Sequence, residues 1–414
     1  AGAPTFTVDF DGDGLLQFAL GGPVQAAPRG EDGRVVDALV TQSGTIQADG
    51  GRVTLTARAA DQVIDRVIHM GGLVQAQTVE SRGGEIILGG GEVGTVAVSG
   101  TLDASGPAAA QRGGTVKVLG EKVGLFDGAR LDASGGAGGG TVLIGGNFRG
   151  QGPEPNARRT YVSRQASLKA DALVYGGGGT LIVWSDEATA YHGRASARGG
   201  PEGGSGGLVE VSGKQSLVFA GQVDLGAPSG APGTLLLDPS TLTIVDSFSD
   251  IDGVPNGWLD ANLLQEAPIG VIAAGEPDAA PNPNTVSWDA IRDLVGGNVT
   301  LEATGDVTVD NITGVTFDQG DRAVLNVASL TLRSVNGSVT FADLADSIHT
   351  TGGELVMSAG GDISAGTLVT VGPFVTGADS GSITLTAGGG ISAAYLNASS
   401  STGNLTHLAA ELFN

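Results

Sequence analysis

The chain has 414 residues, 72 of them glycine, a net charge of −23 and no cysteine. This acidic balance argues against nucleic acid or an anionic membrane surface as partner, and the lack of cysteine excludes disulfide stapling. Aromatic residues make up only 4%, too few for a conventional large core but suited to a narrow interior of Val, Leu, Ile and Ala. No apolar run approaches the ~20 residues of a membrane-spanning helix. Ala1 to Phe10 has neither the basic start nor the apolar segment of a signal peptide, so a mature or trimmed piece of something longer is expected.

Taken in order, the chain opens with Asp9-Phe-Asp11-Gly-Asp13-Gly, which resembles the start of a calcium loop. Its twelfth position is Leu20, where a bidentate Glu is needed, and a surface turn is the simpler reading. Short runs with period-2 alternation then recur between glycine corners. Thr180, Leu208 and Thr234 hold equivalent places, 28 and 26 residues apart. A strand-and-corner repeat of that length is the mark of a solenoid, so the fold class is all-β: a right-handed parallel β-helix with a small helical insertion. About fifteen coils at ~4.8 Å would make a rod roughly 70 Å long.

Two strands per coil are expected. The first should bury Val53/Leu55, Ile86/Leu88, Val96/Val98, Val116/Val118, Val142/Ile144, Leu181/Val183, Val209/Val211 and Leu235/Leu237. The second should bury Ile46/Ala48, Val74/Ala76, Leu102/Ala104, Leu131/Ala133, Leu168/Ala170, Ala195/Ala197 and Val223/Leu225. A leaner series resumes with Val299/Leu301, Leu330/Leu332, Leu355/Met357 and Ile383/Leu385.

Two stretches break the rhythm. Asn147 to Gln165 carries surplus residues, including two prolines, and reads as a protruding loop. Asp246 to Gly296 contains Pro255, Pro268, Pro277, Pro281 and Pro283, which exclude a regular strand. Within it Ser287 suits an N-cap, and Trp288, Ile291 and Val295 share one face of a short helix expected on the side of the solenoid. Gly257 to Glu266 is a second helix candidate. The organisation is therefore 1–245 coils, 246–296 Pro-rich insertion, and 297–414 continuing coils, without a true domain boundary.

Gln47, Gln75, Asp103, Asp132, Lys169, Ser196 and Asp224 form one outward column, too mixed for a carboxylate site. Asp before Ala-Ser-Gly reads as turn chemistry. Four scattered histidines lack zinc spacing, and the glycine clusters lack a phosphate-loop Lys-Ser/Thr. Thr54/Thr56 and Thr384/Thr386 have the form of an ice-binding face, but Lys117 and Glu210 interrupt it, and Glu210→Lys is expected to be nearly silent. Trp184, Trp258 and Trp288 are assigned to covering apolar surface rather than stacking on sugars.

The column Ile87, Leu143, Ile182, Trp184 and Leu236 is unusually apolar for a surface and is the candidate interface. It should be covered by the loop, the insertion or a neighbouring molecule. Arg149, Arg158, Arg159 and Arg164 in the loop join this candidate, for contact with an acidic surface on a second copy. Neither end carries a recognisable cap, so self-association end to end is expected.

GGLVEVSGKQSLVFAGQVDLGAP with GTLLLDPSTLTI, GTLDASG at Gly100, RLDASGG at Arg130 and TVSWDAIRDLVGGNVTLEATGDVTV at Thr285 are similar to the repeat region of the filamentous haemagglutinin family. These are exoproteins of bacterial two-partner secretion. The resemblance covers most of the chain, while nothing matches the family's NPNG- or NPNL-type secretion domain. It implies an extracellular or cell-surface adhesive stalk or fibre segment, exported by an outer-membrane transporter and contacting host cells or matrix. No enzyme activity and no cofactor are implied. The competing readings are a polysaccharide-active β-helix enzyme, or a ligand-binding (ice or calcium) solenoid.

Overall fold

A computed structural model describes residues 6–11, 15–20, 23–30, 32–61, 63–126, 128–245, 284–292, 294, 297–310, 324–325, 329–350, 353–370, 381–398 and 408–412. Nearly every strand is short and parallel to the one a coil away, and together they make an all-β solenoid of about ten turns, fewer than the repeat count suggested. Three sheets form its sides, with fourteen, fifteen and seven strands among the described residues. They are the long, second and short sheets below.

The long sheet carries the first inward series in unbroken register. Val53, Ile86, Val116, Val142, Leu181, Val209, Leu235, Val299, Leu330, Leu355 and Ile383 stack one above the next. All eleven are fully or almost fully buried. At about 1.5–3 kcal/mol for each buried Val or Leu, such columns are the main source of stability. The short sheet likewise aligns Ile46, Val74, Leu102, Leu131, Leu168, Ala195 and Val223. Only the first-coil pair Ile46 and Ala48 remains partly exposed.

Each complete coil has a third strand that the alternation did not reveal. Val96 and Val98 belong to it: Thr95–Val98 lies in the second sheet, not in the long one. So do Lys122–Leu125, Arg159–Val162, Ala188–Tyr191 and Ser216–Phe219. Two inward places on these strands are filled by Thr160 and Thr189, which hide the pattern. Their hydroxyls donate to the carbonyls of Trp184 (2.7 Å) and Ser212 (2.8 Å), so neither is left unpaired in the core.

The insertion alters the stacking. Thr234–Leu237 pairs directly with Asn298–Ala303, so the long sheet runs on across it. In the second sheet, however, Thr285–Ser287 sits between Ser216–Phe219 and Leu242–Val245. Asn284 closes the gap beside it. Its side-chain oxygen accepts the Leu217 N–H (2.9 Å), its amide donates to Thr241 Oγ1 (2.9 Å), and its carbonyl accepts the Thr243 N–H (2.8 Å).

The helix Trp288–Arg292 follows, and it is not on the side of the solenoid. Trp288, Ala290, Ile291 and Leu294 are buried in the main core. Ser287 is still a strand residue, while Val295 and the second helix candidate at Gly257 to Glu266 lie outside the described residues. In chain order this turn stands where earlier coils have their short-sheet strand, between Thr285–Ser287 of the second sheet and Asn298–Ala303 of the long sheet, and it buries its apolar face in the core. Further on, Ile363–Thr370 bends at Gly366. Its first half pairs with Val339–Phe341 and its second half with Ser347–Thr350. A Cβ at Gly366 would strike the Asp346 carbonyl, so that bend requires glycine.

At the opposite end Phe6–Asp11 and Leu15–Leu20 form an antiparallel hairpin on the edge of the long sheet. Asp9 and Asp11 are strand residues there, and Asp13 lies outside the described residues.

Candidate functional site

The concentration of charge and apolar surface lies on the outward side of the long sheet. One outward column reads Thr54, Ile87, Lys117, Leu143, Ile182, Glu210, Leu236 and Thr300. Leu143 is 4% exposed, Ile182 0%, Trp184 4% and Leu236 5%, while Ile87 is half-buried. Leu143, Ile182 and Trp184 pack together as a cluster distinct from the main core.

Asn147 to Ala157 lies over this cluster. Phe148–Gly150 makes a tight turn in which Arg149 and Gly150 have φ of 53° and 64°. A Cβ at Gly150 would come within 2.5 Å of the Trp184 ring, so bare backbone rests on the indole. Left-handed backbone at Arg149 is unfavourable for a side chain with a Cβ. Its return is direction: the Arg149 N–H points down to the Glu210 carboxylate, 2.9 and 3.2 Å from its two oxygens.

Glu210 is completely buried, contrary to its assignment as a replaceable surface residue. Burial pushes its carboxyl up to about 7; the Arg149 N–H and the Ser212 hydroxyl oppose this, and the nearby Asp238 adds to it. Asp238 is raised as well, by burial first and then by the Glu302 charge, against Arg149 and Arg333. Glu302 is gripped from both sides, by Arg149 Nη1 and Arg333 Nη1, each at 3.0 Å. Toward the other end of the loop, Glu154 accepts from Lys117 Nζ (3.1 Å) and Asn147 Nδ2 (2.6 Å). Burial raises the Glu154 carboxyl, but these hydrogen bonds outweigh it and hold the group below its usual range.

Three of the four candidate arginines are paired within the chain. Arg149 pairs with Glu302, Arg158 with Glu121 (3.1 Å) and Glu187 (3.3 Å), and Arg159 with Glu187 (3.1 Å). Arg164 is exposed in the turn after Val162. The two parts of the candidate interface meet where Gly150, next to Arg149, rests on Trp184.

On the short sheet the outward column Gln47 to Asp224 is in register as read. Asp103, Asp132 and Asp224 each accept a backbone N–H two residues on, from Ser105, Ser134 and Gly226 at 2.8–3.0 Å. These aspartates close corners. Among the described residues no three His, Asp or Glu side chains are arranged to hold a metal ion.

Sequence reasoning missed the group Glu210, Asp238, Glu302 and Arg333. One signal was present: Glu210 stands in a column between Ile182 and Leu236, where a solvated carboxylate is out of place. No protein family model and no curated protein matches the chain.

Proposed function

We propose that this chain is a structural and adhesive segment of a bacterial surface exoprotein similar to the filamentous haemagglutinins. Its work is extension from the cell and attachment to other cells or matrix. The observation that carries this reading is how the outward polar groups are used. The short-sheet aspartates close turns, and Arg149, Arg158 and Arg159 pair with neighbouring carboxylates in the same chain. Their polar capacity is taken up in stiffening the rod, as a stalk requires.

The repeat sequences at Gly100, Arg130, Gly207 and Thr285 support the family, and with it extracellular location and export through an outer-membrane transporter. The lack of cysteine suits a chain that crosses a pore unfolded. Electron micrographs of the native material, with adhesion assays on a strain lacking the chain, test the proposal. Rods or filaments and lost attachment are expected; dispersed compact particles with unchanged attachment would overturn it. The enzyme reading has no specific observation in its favour, because Glu210 lies wholly beneath the loop.

A further inference from the structure

The strap formed by Asn147 to Ala157 is seated on an apolar cluster, yet its anchors on the sheet are ionisable. Near its start the Arg149 N–H meets Glu210, and its guanidinium reaches Glu302 at 3.0 Å and Asp238 at 3.9 Å. Near its far end Glu154 meets Lys117 at 3.1 Å, and Asn156 donates to Asp186 at 3.1 Å. Between these anchors Gly150 rests on Trp184. A carboxyl beneath such a strap is dry when the strap is down and wet when it lifts, so its proton and the strap's position are linked.

We propose that this strap is a pH-governed cover over the apolar cluster Leu143, Ile182 and Trp184, closing on protonated Glu210 and loosening when Glu210 ionises. The charged groups facing Glu210 are Arg149 from the strap and Asp238 just after the next strand, with Glu302 and Arg333 beyond it. The adjoining strand before it sets Ile182 opposite Glu210 and Trp184 opposite Ser212.

The sign follows from the direction of each shift. Covered Glu210 titrates at about 7 against 4.5 for the ordinary group. Below 4.5 both states are protonated and closure is undiminished. Between 4.5 and 7 only the open state ionises, so closure weakens as pH rises, and above 7 it is at its weakest. The full difference is on the order of a hundredfold. Asp238 acts in the same sense, since it too is raised. Glu154 acts in the opposite sense at lower pH, because its carboxyl is held down by Asn147 and Lys117 and that contribution is lost in acid. Closure is therefore firmest near the acid side of neutrality.

The chain contains no cysteine, so a single introduced thiol reports access. Leu143→Cys places one under the strap, and Lys169→Cys, on the exposed part of the short sheet, corrects for the ionisation of the thiol itself. Maleimide labelling of Leu143→Cys relative to this control should rise at least tenfold between pH 5.5 and 8. Adding Glu210→Gln should hold it slow and remove most of the rise, with an unchanged far-ultraviolet circular dichroism spectrum. Hydrogen exchange of residues 145–157 in the unaltered chain, corrected for intrinsic rates, should follow the same pH profile. A flat profile in the unaltered chain, or the same rise with Glu210→Gln, would overturn the proposal.

Discussion

Glu210 and Arg149, 61 residues apart, are joined through a backbone N–H that reaches the buried carboxylate at 2.9 Å. The contact ties a left-handed turn in a loop to the flat face of a sheet. It turns what looks like a surface acid into an interior one.

Glu210→Lys should accordingly destabilise the protein by about 3–5 kcal/mol, the range for an uncompensated buried charge. Glu210→Gln keeps an acceptor for the Arg149 N–H and should cost less than ~1 kcal/mol at neutral pH. Thermal unfolding of the two variants checks this, and equal melting temperatures would contradict the burial.

Val209 and Val211 flank that residue on the inward side, with exposures of 1% and 0%. Val209→Asp and Val211→Asp should each prevent folding, because an unpaired carboxylate in the stacked columns costs several kcal/mol. Circular dichroism of the purified variants would reveal a folded one, and either variant folding normally would put the register in doubt.

Asn284 holds φ at 68° and closes the second sheet around the interposed strand. Asn284→Ala should lose ~1–3 kcal/mol from the unpaired Leu217 N–H alone, with added backbone strain. Asn284→Gly should lose less, since only the side-chain bonds go. The order Ala below Gly below the parent in denaturant midpoint is the readout.

The shape is open to measurement. Fourteen strands of the long sheet at ~4.8 Å give a body of roughly 60 Å along the axis. Small-angle scattering should return an elongated particle, and a distance distribution typical of a sphere would contradict it.

Alternation and glycine corners were enough, without tertiary information, to specify the parallel solenoid and the inward columns of two of its sides. Strand side chains project alternately, so Val209 and Val211 could only share a face, and a repeat near 28 residues could only stack. The aspartate corners were legible for the same reason: Asp103, Asp132 and Asp224 bond their own backbone two residues on. Long-range contacts alone decided the rest. The third strand of each coil is short and buries Thr160 and Thr189, whose partners are carbonyls 24 and 23 residues away. Thr285–Ser287 enters the second sheet ahead of Leu242–Val245, an order no local pattern encodes. The fate of Glu210 depended on a loop 61 residues earlier folding back across the sheet. Period-2 alternation assigns a side chain to the outside of its own sheet; whether that outside is water or protein is settled only when a distant segment lies upon it.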